Sequence, residues 1–105
     1  MKWTVSYLPA AKEDLLRLDR SQQVQVLKAI DKVSQNPLPQ TEGGLGKPLG
    51  SHSIANLTGY LKIKLRRQGL RVVYKLVREN DTMRIIVISV RDDHTVYRLA
   101  KERTQ

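Results

Sequence analysis

The sequence contains no cysteine, and this absence excludes disulfide bonds, thiolate metal sites and a cysteine nucleophile. With only two histidines, at the distant positions His52 and His94, we expect neither a metal site nor a cofactor. No apolar run approaches the roughly 20 residues that a membrane-spanning helix requires, and the first residues lack the apolar core of a signal peptide. We therefore expect a soluble, cytoplasmic protein with no segment inserted in a membrane.

Acidic residues are also scarce, since 10 Asp and Glu stand against 19 Lys and Arg in a chain with a formal net charge of +9. A balance this basic favours a nucleic acid, an anionic membrane surface or an acidic protein as the partner, and charge alone does not choose among them. A chain of 105 residues is long enough for one core and too short for a second, so we predict a single domain over residues 1–105.

Apolar periodicity predicts a strand, two helices, three strands and a final helix. Pro9 suits the first turn of the first helix, and Asp19 and Ser21 supply caps for the second. Three prolines and four glycines within residues 36–50 predict a loop. The predicted strands cover residues 2–8, 58–65, 70–78 and 83–90, and the predicted helices cover residues 9–18, 21–35 and 95–102.

This order predicts an α+β fold with a four-stranded, mainly antiparallel sheet, an N-terminal helical hairpin packed on one sheet face, and a short C-terminal helix. The other sheet face is expected to stay partly open. Side chains alternate across a strand, so Leu61, Ile63 and Leu65 are expected to face the helices while Lys62 and Lys64 face outward.

Cations concentrate in residues 59–75, GYLKIKLRRQGLRVVYK, which form two of the predicted strands. A register that places Arg71, Val73 and Lys75 on the face of the two lysines would leave Val72, Tyr74 and Leu76 for the core. A flat array of positive charge suits a polyanion, most commonly RNA or DNA. The residues predicted to contact RNA are Tyr60, by stacking on a base, and Arg66, Arg67 and Lys75, by binding phosphates.

Several motifs occur here in a characteristic order. The strands YLKIKL and GLRVVYKL are followed by IIVISV and VYRLA, and the chain opens with a strand before AKEDLLRL. This pattern resembles the RelE/ParE superfamily of bacterial toxins, and its RelE branch in particular, over nearly the whole chain. Members of that branch are small basic endoribonucleases that cut messenger RNA in the ribosomal A site, and each is held inactive by a cognate antitoxin.

The resemblance therefore implies an mRNA interferase that inhibits translation and needs no metal. The partners it implies are a cognate RelB-like antitoxin, the ribosome with its 16S rRNA, and mRNA, together with operator DNA contacted through the antitoxin complex. Carried over residue by residue, the family's two strand lysines fall on Lys62 and Lys64, its strand arginine on Arg71, and its C-terminal tyrosine on Tyr97.

The family has a second arginine near the end of its last strand, where this chain has Asp92 and Asp93. We expect Arg91 or His94 to take over the role of that arginine. His94 is also of interest because histidine titrates near neutral pH.

RNA cleavage without a metal requires activation of a 2′-hydroxyl, stabilisation of the charged phosphorane and protonation of the leaving 5′-oxygen. We assign Arg71 to the scissile phosphate, and Lys62 and Lys64 to charge stabilisation. Tyr97 or His94 is assigned to proton transfer, since nearby cations favour the phenolate form of a tyrosine.

Alternative interpretations stay open at this stage. The two lysines could form an ordinary solvated sheet face, and Arg71 could be a cross-strand partner of Glu79 or of another acid. At the level of the whole protein, one alternative is a non-enzymatic inhibitor of DNA gyrase, as in the ParE branch. Another is a catalytically weak member that mainly binds its antitoxin.

Overall fold

Five strands form one sheet in the computed structural model, which describes residues 2–51, 56–90 and 93–104. The strands are β1 Thr4–Tyr7, β2 Lys47–Ser51, β3 Asn56–Leu65, β4 Leu70–Val77 and β5 Thr82–Ser89. The helices are α1 Pro9–Arg17, α2 Arg20–Val33 and α3 Asp93–Arg103, with 3-10 turns at Gln40–Glu42 and Arg78–Asn80. The α+β class is confirmed, whereas the predicted number of four strands is wrong.

The strand order in the sheet is β1-β5-β4-β3-β2. The three strands β3, β4 and β5 form the predicted antiparallel meander, and β1 joins the outer edge of β5 in parallel. Gly69 in the β3–β4 turn has φ +66°, which glycine adopts without strain. The meander therefore forms the centre of the sheet, where the cationic strands β3 and β4 lie side by side.

The additional strand, β2, lies within the residues that the glycine and proline content assigned to a loop. It pairs antiparallel with β3 at the edge of the sheet, with a register shift between Pro48 and Gly50. An edge strand tolerates proline because one side of its backbone makes no ladder hydrogen bonds. The loop prediction is therefore wrong from Lys47 onward, and the error hid an edge of the cationic sheet.

Helices α1 and α2 begin where their sequences predict. Pro9 occupies the first turn of α1, and Asp19 caps α2 by accepting a hydrogen bond from Gln22 N at 2.8 Å. The two helices make their main contacts with the sheet and not with each other, α1 against β1 and β5 and α2 against β3. The hairpin is therefore better described as two consecutive helices that share one sheet face.

The core between these helices and the sheet matches the predicted alternation. Leu61, Val72 and Tyr74 are buried there, with Ile63 and Leu65 partly buried against them. The Tyr74 hydroxyl donates to Pro37 O at 2.8 Å, and burial raises the Tyr74 pKa far above its ordinary value. This contact fastens the segment between α2 and β2 to the centre of the sheet.

Helix α3 covers the part of the opposite sheet face that β4 and β5 form, and that face stays open beside Lys64 and Arg71, as predicted. Val96 and Ala100 of α3 pack on Val73 of β4 and Val87 of β5, and all four side chains are fully buried. Strand β5 carries the consecutive apolar residues IIVI at 85–88, which is typical of a strand buried on both faces. The second face needs a cover for the same reason as the first.

A bulge in β5 increases the apolar area of this second face. Val73 pairs with Val87 and Tyr74 pairs with Ile85, so Ile86 is the extra residue opposite β4. Ile86 and Val87 both belong to the core beneath α3.

Within the described parts of the chain, every helix is too short or too polar to cross a lipid bilayer.

Candidate active site

The contact between Lys62 of β3 and Tyr97 of α3 joins the sheet to its covering helix. Lys62 Nζ donates a hydrogen bond to the Tyr97 hydroxyl at 2.9 Å and lies 5.6 Å from the centre of the Tyr97 ring. Tyr97 is buried and Lys62 is half-buried, so the ammonium group is held beside a phenol at the edge of a covered surface. The structure therefore brings together two residues that lie 35 positions apart in the chain.

Lys64 and Arg71 lie directly opposite each other in the β3–β4 ladder. Lys62 lies opposite Val73 and Tyr60 opposite Lys75, so the pairing meets the condition under which Arg71 shares the face of the two lysines. Lys64 and Arg71 line a cavity of about 250 Å³, together with Leu65, Arg66, Gly69 and Leu70. Cross-strand partners have side chains on the same sheet face. The cavity is therefore bordered by two cationic residues whose backbones lie a few ångströms apart.

Lys47 is a further cation of the sheet face that carries Lys62, Lys64 and Arg71, and it was not predicted from the sequence. It is exposed, and it lies opposite Lys62 in the β2–β3 ladder. One sheet row therefore runs from Lys47 through Lys62, and the next row runs from Lys64 through Arg71 to Ser89. No alternation marks Lys47 in the sequence, because the apolar Leu49 two positions later would lie on the same face of a strand as Lys47.

Tyr60 has a different environment from the one expected. It is buried, its hydroxyl is bonded to the Thr104 hydroxyl, and Lys75 Nζ lies 4.9 Å from the centre of its ring. In this conformation the ring packs beneath the end of α3, and it is Lys75 that lies over it. Stacking on a base would require α3 to move, so that assignment stays a prediction.

The remaining predicted RNA contacts are distributed around the sheet. Arg66 and Arg67 are exposed in the β3–β4 turn, beside the cavity of Lys64 and Arg71. Arg78, a cation just beyond β4, forms a two-pronged ion pair with Glu42, with distances of 3.0 and 2.9 Å. Its hydrogen bonds lower the pKa of the Glu42 carboxyl and raise that of Arg78, so this arginine has a structural role.

The structure does not describe the side chains of two predicted catalytic residues, Arg91 and His94. Arg91 lies outside the described residues, and His94 lies in the first turn of α3, where only its backbone is described. His52, for which no catalytic role was predicted, is also outside the described residues. The predicted terminal helix is confirmed and begins two residues earlier than expected. The replacement of the family's second arginine by Arg91 or His94 stays a prediction.

The fold and the cationic sheet face define a class of small basic proteins, and comparison with known sequences identifies that class. Residues 5–97 match the family model for the ParE toxin of type II toxin-antitoxin systems. A protein of Escherichia coli named as a RelE-like toxin is 28% identical over 103 residues, which are 98% of each chain. The chain therefore belongs to the ParE toxin family, within the RelE/ParE superfamily, and is a toxin of a type II toxin-antitoxin module.

Solved structures give the same result for the fold. A mutant of Escherichia coli RelE in its free state aligns over 100% of both chains with a TM-score of 0.75 and 22% identity. The toxin-antitoxin complex RelBE2 of Mycobacterium tuberculosis contains a chain with a TM-score of 0.67 and 26% identity, over 89% of this chain and 95% of that one. The RelE-like fold is therefore confirmed.

Proposed function

We propose that this toxin is a ribosome-dependent endoribonuclease that cuts mRNA in the ribosomal A site. The observation that carries the proposal is the single constellation of Lys62, Lys64 and Arg71 on one sheet face, with the Tyr97 hydroxyl held on Lys62. These are the residues that the resemblance to the RelE branch assigned to catalysis. Two cationic side chains opposite each other on neighbouring strands give this face a concentrated positive charge that suits a phosphate.

In the proposed reaction the scissile phosphate lies in the cavity between Lys64 and Arg71. The planar guanidinium of Arg71 suits two-pronged binding of phosphate oxygens, and Lys64 adds a second positive charge. Both cations favour the transition state, because negative charge builds up on the phosphorane. Lys62 acts one step away, by fixing the hydroxyl of Tyr97.

Two proton transfers complete the reaction. A base removes the proton of the 2′-hydroxyl while its oxygen forms a bond to phosphorus, and an acid protonates the 5′-oxygen as the P–O5′ bond breaks. Tyr97 and His94 are the candidates for these two roles, and Arg91 is the candidate for the second arginine. The products are a 2′,3′-cyclic phosphate and a 5′-hydroxyl end.

Exposed cations around the cavity would bind the ribosome and its messenger. Lys47, Arg66, Arg67 and Lys75 are exposed, and in this proposal they contact phosphates of 16S rRNA and mRNA. A RelB-like antitoxin is the proposed inhibitor, supported by the RelB complexes among the similar structures, and operator DNA would be contacted through it. An acidic antitoxin segment would suit the net charge of +9.

Primer extension on a defined mRNA tests the proposal, with purified toxin in the presence and absence of programmed 70S ribosomes. We expect cuts within the A-site codon only when ribosomes are present, with cyclic-phosphate and 5′-hydroxyl ends, and loss of cutting in Arg71→Ala. Lys28→Ala is the matched control, because it removes an exposed cation from α2 on the other side of the sheet. Cutting of free RNA, or full activity of Arg71→Ala, would contradict the proposal.

Inhibition of DNA gyrase is a second candidate, because the matching family model is that of ParE toxins. A supercoiling assay with purified gyrase distinguishes the two functions. Inhibition of supercoiling that persists in Arg71→Ala, without mRNA cutting, would favour the ParE-like alternative. Failure of both activities would favour a catalytically weak member that mainly binds its antitoxin.

A further inference from the structure

The carboxylate of Asp14, on α1, lies where three elements meet. Its Oδ2 accepts hydrogen bonds from Ile88 N of β5 at 3.0 Å and from Arg103 Nη1 of α3 at 2.7 Å, and its Oδ1 accepts from Arg103 Nη2 at 3.2 Å. The side chains are 10% exposed for Asp14 and 19% exposed for Arg103. A largely buried, two-pronged ion pair therefore links α1, β5 and α3.

The position of this ion pair follows from the different lengths of β1 and β5. Strand β1 pairs with β5 only as far as Ile85, so the outer edge of β5 continues beyond its neighbour. Ile88 N donates to Asp14, and Ile86 O accepts from Arg103 Nη1 at 2.9 Å. Backbone groups at a covered sheet edge require partners, and here two side chains replace the missing strand.

Arg103 lies at the end of the buried stripe of α3. Val96, Ala100 and Arg103 are spaced at i, i+4 and i+7, which places them on one helix face. Tyr97 lies six residues before Arg103, or ~9 Å along the helix axis. The ion pair therefore anchors the C-terminal end of a short helix whose earlier turn carries the tyrosine bonded to Lys62.

From this geometry we propose that Asp14 and Arg103 are positioning residues of the active site. Their ion pair fixes α3 on the sheet and thereby holds the Tyr97 hydroxyl on Lys62. Arg103 contributes more than its charge, because the fork of its guanidinium bonds Asp14 and Ile86 O together. The effect of the ion pair on catalysis rests on the nuclease function proposed above. Its effect on the position of α3 is independent of that function.

The first experiment compares cutting rates in single-turnover primer extension. Asp14→Asn keeps the size of the side chain and removes its charge, and we expect it to slow cutting by about 10-fold to 100-fold, as for a displaced catalytic group. Arg103→Lys keeps the charge and loses the fork, and is expected to slow cutting less than Arg103→Gln. Glu13→Gln is the matched control, because it neutralises the neighbouring exposed acid of α1.

A double-mutant cycle with Tyr97→Phe separates positioning from general stability. If the ion pair acts through the Tyr97 hydroxyl, Asp14→Asn costs no further rate once that hydroxyl is removed. A loss by the same factor in both backgrounds would overturn the proposal. Arg103→Lys provides the same comparison should Asp14→Asn fail to fold.

Hydrogen exchange gives a readout that does not depend on activity. In Asp14→Asn and Arg103→Lys we expect the α3 amides of residues 97–103 to exchange ~10-fold faster or more, while those of Val72, Val73 and Tyr74 in β4 keep their rates. Unchanged exchange in α3 would overturn the proposal. If the unmodified toxin cuts no RNA, the proposed nuclease function fails, and hydrogen exchange still decides whether the ion pair fixes α3.

Discussion

Lys64 and Arg71 are directly opposite each other on neighbouring strands of the sheet. Like charges in this relationship destabilise a sheet, whereas cross-strand pairs of opposite charge contribute roughly 0.2–1 kcal/mol. A cavity between them suits a phosphate, whose negative charge would be shared by both side chains. The arrangement therefore suits a surface that binds an anion.

Substitution of these two residues tests whether they bind the same phosphate. We expect Lys64→Ala and Arg71→Ala each to slow ribosome-dependent cutting by about 100-fold or more, the usual cost of losing a group that stabilises transition-state charge. The double variant is expected to lose less than the product of the single effects, because the two residues share one partner. Single-turnover primer extension measures all four rates, and strictly multiplicative losses would show that the residues act separately.

Removal of the Tyr97 hydroxyl is expected to affect catalysis more than folding. Tyr97→Phe keeps the buried ring and loses the hydrogen bond from Lys62, so the free energy of unfolding is expected to fall by only about 1 kcal/mol. Cutting is expected to slow by about 100-fold or more, with affinity for ribosomes unchanged. Urea unfolding and single-turnover kinetics measure the two effects, and a rate equal to that of the unmodified toxin would exclude Tyr97 from proton transfer.

Lys47 is expected to contribute to RNA binding through its charge. Lys47→Ala removes one cation of the sheet row that includes Lys62, so the plot of log affinity for ribosomes against log salt concentration is expected to lose about 0.7–0.9 in slope. The control is Lys32→Ala, which removes an exposed cation from α2. Equal salt dependence of Lys47→Ala and the unmodified toxin would place Lys47 outside the RNA contact.

The buried Tyr74 gives the fold a sensitivity to alkaline pH. The folded protein holds the Tyr74 proton more tightly than the unfolded chain, in which tyrosine titrates near pH ~10. The stability from this raised pKa is complete below pH ~10 and is lost as the pH rises from there towards the folded pKa. At pH 11 the loss is expected to be about 1 kcal/mol.

Tyr74→Phe isolates this effect from the titration of lysines, which both proteins share. At pH 8 the variant is expected to be about 1 kcal/mol less stable, because the bond to Pro37 O is lost. Between pH 8 and pH 11 the difference is expected to shrink, since only the unmodified protein has the Tyr74 proton to lose. Urea unfolding at the two pH values measures the difference in free energy of unfolding between the two proteins. A difference that stays constant would show that Tyr74 is not the source of the alkaline sensitivity.

The residues of the β3–β4 pair show how much of the candidate site the sequence could predict. Alternation alone placed Leu61 and Ile63 inside and Lys62 and Lys64 outside, because successive side chains of a strand point to opposite faces. The same rule put Arg71, Val73 and Lys75 on one face of β4, whereas only the pairing of β4 with β3 showed that this is the face of the two lysines. These are local relationships, and the chain determines them over about 20 residues.

The family motifs in the same strands, and the capping of α2 by Asp19, are likewise local and could be predicted. The assignment of residues 36–50 to a loop failed from Lys47 onward, because Pro48 and Gly50 break strand periodicity and only the edge of β3 gives them a ladder partner. Lys47 was missed for that reason.

Local sequence sets the pattern of each element, the α+β class and the alternation that gives β3 and β4 a cationic face. Tertiary structure alone decided that α3 covers the second face, that Lys62 meets Tyr97, and that Asp14 meets Arg103 across 89 positions. Such contacts satisfy apolar area and backbone groups that become exposed only when the sheet has formed. The periodicity of a single element does not predict these contacts, because they depend on how the assembled sheet exposes its surface and edges.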